Sequence, residues 1–441
     1  MTTRSGVTAD RLDPVPPADA FTSRGSFTYG LLGLPLAFVA LPLYVILPNH
    51  YAREFGVPLA TLGAILLGAR LFDAVIDPFL GRLSDRLFAD SARAVLKLGA
   101  LASVVLAIGF ALLFFPLVKT PAALSAWAAV VLVVTYAAYS ALSVSHQSWG
   151  AMLGGNESQR SRIVAWREGL GLVGVVLASI TPVVLGLPAT TALFFIALLV
   201  GWLAWTRAPR PVAAVAVRSV SAQAPVNTMW VPFQQPAFRA LLGVFLLNGI
   251  ASAVPATLVL FFIQDRLQAP QSMEPLFLGV YFVCAALSIP LWLALVKRLG
   301  LARSWWAGMF LAIAVFAWAT QLGAGNTMAF LAVCALSGVA LGTDLALPGA
   351  MLAGVIQTAG QSGRAEGAYF GWWNFATKLN LALAAGLALP LLGLFGYAPG
   401  ARDAQALSAL VIAYCVLPCV LKAAAAACLY LFIIKKTESS S

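Results

Sequence analysis

The sequence predicts an all-α membrane protein with twelve transmembrane helices, arranged as two pseudo-symmetric bundles of six. Three observations support this fold class. Of the 441 residues, 61% are hydrophobic and only 10% are charged, whereas soluble domains carry about 25% charged residues. Lys and Arg recur on alternate connections between the apolar segments. Short motifs of the first half also return, in the same order, in the second half.

Each apolar segment is long enough to cross a bilayer, which takes about 20 residues. The helices are predicted at 27–49, 58–82, 97–117, 122–152, 163–186, 189–207, 237–264, 275–297, 304–322, 326–357, 368–394 and 403–434. The chain is thereby divided into a tail at 1–26, a first bundle at 27–207, a linker at 208–236, a second bundle at 237–436 and a tail at 437–441. The first tail lacks the apolar core of a signal peptide, so we expect it to be retained.

The placement of the 27 Lys and Arg residues predicts the orientation of the chain. The two tails and alternate connections carry 20 of them, Arg167 included, and the opposite connections carry 4. Such an excess is typical of cytoplasmic loops, so both termini are expected in the cytoplasm and the protein in the cell membrane. Nucleic-acid binders cluster their basic residues on one solvated face instead. The net charge of +11 therefore does not indicate a nucleic-acid partner.

Four short matches relate the two halves of the chain. They align Pro42 with Pro255 at an offset of 213, Pro78 with Pro290 at 212, GAML at Gly150 with GAML at Gly349 at 199, and REG at Arg167 with AEG at Ala365 at 198. Four matches in the same order predict a tandem duplication of six-helix halves. Parallel halves related by an axis along the membrane normal describe the major facilitator architecture.

The second helix contains RLFDAVIDPFLGRLSDR at 70–86, which places three charges in an apolar segment. Arg70, Asp73 and Asp77 lie within about 60° of one another, because each residue turns a helix by about 100°. One charge at mid-bilayer costs roughly 2.5–3.5 kcal/mol, so the three are expected to face a polar cavity and neutralise one another. Pro78 lacks an N–H and frees the carbonyl of residue 74. The two carboxylates and the freed carbonyl are a candidate site for a small cation, and the carboxylates could equally exchange a proton. The alternative is that these charges form a purely structural network.

Three more charged residues lie inside predicted helices: Asp344, Lys378 and Lys422. Together with Arg70, Asp73 and Asp77 of the second helix, they make a set of three basic and three acidic side chains. A solute cavity tolerates such a balanced set, and one bound cation or proton would shift the balance by one charge. Asn374 lies one turn before Lys378 on the same face. Lys422 precedes an alanine run, and its ammonium could instead extend to the membrane interface.

Other side chains are candidates for the solute cavity or for a gate. The cavity candidates are Tyr44, Ser145, His146, Asn248 and Trp373. His146 could sense protons, with plain hydrogen bonding inside the bundle as the alternative. The loop GRLSDR at 81–86 resembles the signature between helices 2 and 3 of the major facilitator superfamily. Gly81 would permit close helix contact and Asp85 would bind neighbouring helix ends through Arg, with Arg86 and Arg364 in the same cytoplasmic gate.

The whole chain resembles the glycoside–pentoside–hexuronide:cation symporters, the melibiose-permease-like branch of the major facilitators. The residues that carry the resemblance are R-x-x-D-A-x-x-D-P at 70–78, Lys378, HQSWGAMLGGNESQRSR at 146–162 and KRLGLARSWW at 297–306. The resemblance implies that Asp73 and Asp77 are the cation carboxylates, with Arg70 and Lys378 as ionic partners. It also places Arg160 and Arg162 in the cytoplasmic gate.

The sequence departs from the sugar-transporting members of this branch at two positions. Those members use acidic residues in helices 1 and 4, where this chain has Pro35 and Ser145. The repeat offset of 199 maps Ser145 onto Asp344. We therefore hypothesise that the substrate is recognised more from the second half of the chain and that it need not be a sugar.

These observations predict a secondary active transporter that moves a small polar solute by alternating access, coupled to H⁺ or Na⁺. A proton-coupled antiporter or exporter, a lysolipid carrier, and a non-transporting receptor on the same fold are the alternatives. Nothing in the sequence resembles a nucleotide-binding loop, a catalytic triad or a zinc site, so we expect no enzymatic activity, no cofactor and no structural metal. The expected partners are the solute and the lipid bilayer, and the expected state is a monomer.

Overall fold

The computed structural model describes residues 22–57, 59–211, 228–394, 397 and 400–435. Twelve helices make up most of this part of the chain. They are α1 (the consecutive segments Ser23–Gly30, Gly33–Leu41, Pro42–Ile46 and Leu47–Glu54), α2 (Leu59–Asp90), α3 (Ala92–Phe114), α4 (Pro121–Met152), α5 (Glu157–Val184), α6 (Gly186–Thr206), α7 (Pro236–Phe261, continued by Phe262–Arg266), α8 and α9 (the two arms of Glu274–Ala319), α10 (Thr327–Thr358), α11 (Glu366–Leu394) and α12 (Ala404–Val411, Ile412–Val416, Leu417–Leu429 and Tyr430–Ile434).

Gly300 separates α8 (274–299) from α9 (301–319). Its φ of 79° and ψ of 172° lie outside the helical region, and glycine adopts a positive φ at little cost because it has no Cβ. Nine helices of the described residues are long and apolar enough to cross a membrane, and the bent segment is one of them. Counting its two arms and adding the charge-bearing α2 and α11 gives twelve. The predicted multi-pass membrane fold is confirmed.

Several helix boundaries differ from the predicted ones, with clear differences at the start of α5 and between α2 and α3, where polar side chains cap the helices. α5 begins six residues before the predicted 163, since Asn156 and Gln159 form a capping box with reciprocal side-chain to main-chain hydrogen bonds. α2 continues to Asp90 instead of ending at 82, and Ser91 caps α3 immediately afterwards through the N–H of residue 94. The predicted connection between these two helices is therefore almost entirely helical.

Several predicted segments fall on residues that the structure does not describe. Residues 1–21 and 437–441 of the tails, residue 436 at the end of the second bundle and residues 212–227 of the linker lie outside the described residues, as does the side chain of Tyr44.

The apolar core explains how the helices are held together. Phe38, Phe110 and Phe194 are buried in one cluster whose members all belong to the first bundle, α1–α6. A second cluster contains Val144 and Val164 of the first bundle together with buried residues of the second bundle, α7–α12. The two bundles thus share part of their core at α4 and α5.

One end of the molecule carries an excess of exposed basic side chains. α2 ends, α5 begins and α8 turns into α9 there. Arg86, Arg93, Lys97, Lys297, Arg298, Arg303, Arg364 and Lys435 are exposed at this end. We call it the basic end. The two bundles meet through α2 with α11, α5 with α8 and α10, and α4 with α11.

Candidate functional site

Lys378 of α11 forms ion pairs with both aspartates of α2. Its Nζ lies 2.7 Å from Oδ2 of Asp73 and 2.7 Å from Oδ2 of Asp77. It also donates to Oγ of Ser140 at 2.8 Å and to the main-chain carbonyl of Asp73 at 3.2 Å. The Ser140 hydroxyl, on α4, donates to Oδ1 of Asp73 at 2.6 Å. We call these four residues the helix 2 site.

The helix 2 site contains two carboxylates and only one ammonium group. Asp73 and Asp77 are 1% and 0% exposed. Asp77 forms an ion pair with Lys378, and neither of its oxygens accepts an aligned hydrogen bond from the described residues. A buried carboxylate without full compensation is costly unless a proton or a cation joins it. In this site one ammonium group therefore faces two buried carboxylates.

Arg70 lies on the same face of α2 as the two aspartates, about one turn further from the basic end. Its side chain is exposed, whereas Asp73 and Asp77 are buried. The charged stripe of α2 thus leads from an accessible arginine into the buried acidic pair. Of the two predicted ionic partners, Lys378 makes direct contacts with the acids at salt-bridge distance.

A second ion pair lies inside the second bundle. Nζ of Lys422 is 3.0 Å from Oδ2 of Asp344 and donates to Oδ1 of Asn248 at 2.7 Å and to Oγ of Ser252 at 3.1 Å. Asp344 also accepts hydrogen bonds from Asn248 at 2.9 Å, Ser252 at 3.1 Å and Trp305 at 2.8 Å. Both oxygens of this carboxylate are engaged, in contrast with Asp77. Lys422 is buried in this network rather than at the membrane interface.

A cavity of about 430 Å³ lies between the bundles and connects the two ionic clusters. Its walls come from α1, α4, α5, α7, α10 and α11, and they include Ser140, Lys378 and Asp344. Its volume is within the 300–1,000 Å³ that is typical of small-molecule sites. The geometry therefore provides one chamber, lined by apolar as well as polar side chains, with a charged group on either side.

Most of the predicted cavity residues lie in or beside this chamber. His146, Trp373 and Asn374 line it, and Asn248 lies in the network of Asp344. Ser145 is buried outside the lining, because it is about 200° around α4 from the lining residue Ser143.

Two of the lining residues are held by aromatic stacking. The ring of His146 stacks on Tyr29 with 4.3 Å between centroids, and its Nε2 donates to the Tyr29 carbonyl at 2.9 Å. Trp373 stacks on Phe245, and their centroids are 3.8 Å apart. Both rings are therefore fixed in position. The hydrogen bond of His146 is the kind of contact that the alternative to proton sensing predicted, namely hydrogen bonding inside the bundle.

Arg167 and Glu168 also line the cavity, and here the prediction from charge placement was wrong. Arg167 was assigned to a cytoplasmic connection, but it lies ten residues inside α5. Its Nη2 and Nε contact Oε1 of Glu168 at 2.6 and 3.0 Å. The capping pair Asn156 and Gln159 is the sequence signal that α5 begins six residues earlier than predicted, which places this doublet about three turns into the helix.

At the basic end, Asp85 of the first bundle binds the start of α11 in the second bundle. Its two carboxylate oxygens accept the N–H groups of Gly367 at 2.6 Å and Ala368 at 2.8 Å. An anion is favourable there because the first N–H groups of a helix have no partner within it. We expected Asp85 to act through Arg, and the contacts are made to main-chain amides instead. A Cβ on Gly81 would overlap the carbonyl of Gly367, so glycine permits this approach.

The arginines of the predicted gate occupy different positions. Nη1 of Arg160 donates to Gln357 of α10 at 2.6 Å and to the carbonyl of Gly155 at 2.7 Å. Arg162 is half-buried, and Arg86 and Arg364 are exposed. Glu157 adds a further link between the bundles, since its Oε2 accepts the N–H of Leu301 at 3.0 Å. These contacts join the two bundles at the basic end.

Comparison with known proteins agrees with this architecture. Residues 23–436 match the model of a family described as MFS/sugar transport protein. None of the proteins with curated descriptions matches the chain.

Two solved structures are similar in fold. One is a bacterial homologue of the iron transporter ferroportin in the outward-facing state with soaked iron, with a TM-score of 0.68 and 16% identity, covering 93% of this chain and 99% of that one. The other is the fucose:proton symporter of E. coli, with a TM-score of 0.61 and 14% identity, covering 92% of this chain and 99% of that one. At these identities the likeness concerns the fold alone.

Proposed function

This chain belongs to the MFS/sugar transport protein family, and on that premise we propose that it is a cation-coupled symporter. It is a secondary transporter and not an enzyme. In the proposal it moves a small polar solute across the cell membrane by alternating access, with H⁺ or Na⁺ as the coupling ion and with both termini in the cytoplasm.

The observation that carries the proposal is the sharing of Lys378 between Asp73 and Asp77. The lysine belongs to the second bundle and the aspartates to the first, so the ion pairs link the two moving parts. A proton or Na⁺ at the carboxylates would neutralise the excess charge and weaken this link. Because the ion then interacts differently with the two arrangements of the bundles, it can shift the equilibrium between them.

The remaining charges of the cavity are paired, which favours an uncharged polar solute. Glu168 is neutralised by Arg167, and Asp344 by Lys422. Both contacts from Arg167 go to Oε1 of Glu168, so Oε2 is the oxygen proposed to accept a hydroxyl of the solute. The stacked pair of Phe245 and Trp373 supplies an apolar wall.

The contacts at the basic end supply the gate of the proposed cycle. If that end faces the cytoplasm, the described arrangement is closed toward the cytoplasm. Opening it requires Asp85 to leave the start of α11 and Arg160 to leave Gln357. Each contact joins the two bundles, so the solute would reach the cytoplasm only after they separate there.

The proposal is tested by uptake into proteoliposomes under an imposed pH or Na⁺ gradient, with a panel of radiolabelled sugars and other uncharged polyols. Asp73→Asn should abolish gradient-driven accumulation while leaving a folded protein. Asp90→Asn is the matched control, since this exposed aspartate is on the same helix. Accumulation by Asp73→Asn at the level of the unmodified protein would refute the assignment. Gradient-driven efflux of ethidium, or uptake of labelled lysolipid in place of polyols, would support the alternatives.

A further inference from the structure

A second cavity, of about 830 Å³, lies at the basic end and shares no lining residue with the cavity between the bundles. Its walls come from the start of α7, the bend between α8 and α9, and the last turns of α10 and α12. Glu157 and Arg160 of α5 complete it from the other bundle. We call it the basic-end pocket. We propose that it binds an anionic phospholipid of the surrounding bilayer, with the phosphate at the arginines and part of an acyl chain along the apolar wall.

The apolar wall of the basic-end pocket continues onto the surface of the protein. Leu241 and Met351 line its interior, and Phe432 and Ile434 line it from the end of α12. Phe432 and its neighbour Leu431 are also 50% and 51% exposed on the outside of α12. The pocket is therefore reached from the apolar surface that a membrane helix presents to lipid. A lipid chain can enter from there without crossing water.

The charges around the basic-end pocket favour an anionic headgroup. Arg160 and Arg303 line it, and the exposed Arg239, Arg298 and Lys435 lie next to lining residues in the sequence. Guanidinium groups suit phosphate because they donate two parallel hydrogen bonds. Basic pockets between membrane helices bind lipid headgroups by this chemistry.

Two polar groups of the pocket further define the ligand. The Nε of Arg160 is buried and has no hydrogen-bond partner among the described residues. Glu157, the acidic residue of the lining, is already bound to the N–H of Leu301. The buried Nε of Arg160 is therefore a donor that a ligand in the pocket can satisfy. Inorganic phosphate alone would leave most of the 830 Å³ empty, which points to a lipid.

The pocket is also tied to one conformation of the protein. Glu157 and Arg160 belong to the first bundle, and they reach the pocket through the same contacts to Leu301 and Gln357 that close the basic end. Separation of the bundles at this end would remove that wall. A lipid that needs the complete pocket stabilises the closed basic end, since a ligand shifts an equilibrium toward the state that binds it better.

The test is native mass spectrometry of the full-length protein titrated with phosphatidylglycerol or phosphatidylcholine. We expect one phosphatidylglycerol to be retained preferentially. Arg303→Gln should weaken its retention roughly fivefold, which corresponds to the removal of one basic residue near the headgroup. Arg93→Gln, an exposed arginine at the same end but in the first bundle, is the matched control and should not change retention. Ala240→Trp, which fills the pocket, should abolish it.

Three results would overturn the proposal. Equal retention of the two lipids, an equal loss in Arg93→Gln and Arg303→Gln, or displacement of the lipid by millimolar inorganic phosphate would each exclude a specific phospholipid site. A second measurement does not depend on how the variants fold. In nanodiscs, phosphatidylglycerol should slow hydrogen exchange at the starts of α5 and α9 in the unmodified protein relative to phosphatidylcholine. Identical exchange in the two lipids would contradict the link to the closed basic end.

Discussion

Nζ of Lys378 in α11 lies 2.7 Å from Oδ2 of Asp77 in α2, across the boundary between the two bundles. Neither Asp77 oxygen accepts an aligned hydrogen bond from the described residues. The same lysine is 2.7 Å from Asp73. One ammonium group thus compensates two buried acids from the opposite bundle, and its removal should affect both stability and ion dependence.

We expect Lys378→Met to destabilise the protein by about 3–5 kcal/mol, the usual effect of removing one partner from a buried ion pair. The loss should be partly recovered at low pH or at high Na⁺, because either ion can neutralise the remaining carboxylates. Thermal unfolding in detergent across pH and NaCl concentrations measures this. Lys97→Met, an exposed lysine at the start of α3, should show no such dependence. A Lys378→Met protein as stable as the parent under all conditions would contradict the assignment.

Asp344→Asn is expected to act mainly on stability. The substitution leaves the ammonium of Lys422 buried without its acid, at a cost of about 3–5 kcal/mol. The double variant Asp344→Asn/Lys422→Met should recover much of the loss, which a double-mutant cycle of unfolding free energies detects. If Asp344→Asn instead remained stable and lost only solute affinity, Asp344 would be a solute ligand, as the repeat alignment with Ser145 suggested.

Gly81→Ala should disfavour the closed basic end, because the added Cβ overlaps the carbonyl of Gly367. Gly68→Ala on the same helix is the matched control, since its Cβ meets nothing within 4 Å. The control should be neutral or stabilise α2 by up to about 1 kcal/mol through helix propensity. Thiol labelling of a cysteine introduced at Ala368, which is buried beside Asp85 in the closed arrangement, should rise in Gly81→Ala and stay unchanged in Gly68→Ala. Equal labelling in the two variants would exclude the proposed contact as a gate.

Glu168→Gln should weaken solute binding about 10- to 100-fold while leaving the cation dependence of uptake intact. This range corresponds to the loss of a hydrogen bond to a charged group, about 1.5–3 kcal/mol. Glu54→Gln, an exposed glutamate at the end of α1, serves as the control. The measurement is the KM of uptake at saturating and at limiting coupling ion. A change in ion dependence with unchanged KM would move Glu168 from the solute cavity to the coupling site.

The helices were predictable because a bilayer demands long apolar segments, and the structure contains helices in all twelve predicted places. It was also predictable that Lys378 would pair with acidic residues such as Asp73 and Asp77, since charges in apolar membrane segments must compensate one another. Its distances and the role of Ser140 were not, because they depend on how α4 packs between α2 and α11. Likewise, Lys422 could be assigned to Asp344 only once α7, α10 and α12 were placed around one buried polar network.

The misplacement of Arg167 has a local cause. The charged run from 156 to 162 was taken as a loop, whereas its capping side chains begin α5 there and carry Arg167 to the cavity. Ser145 shows the limit of the repeat alignment. A displacement of two residues along α4 turns a side chain by about 200°, which is enough to move it from the cavity to the core.

The contact of Asp85 with α11 means that the second half of the chain depends on the first for the start of one of its helices. In a second bundle expressed alone, the amides of Gly367 and Ala368 would lose the carboxylate that now satisfies them. The first turn of α11 should then fray. Adding the first bundle as a separate polypeptide should restore that turn. The missing acceptor is the carboxylate of Asp85, which needs no covalent connection to the second bundle in order to bind there.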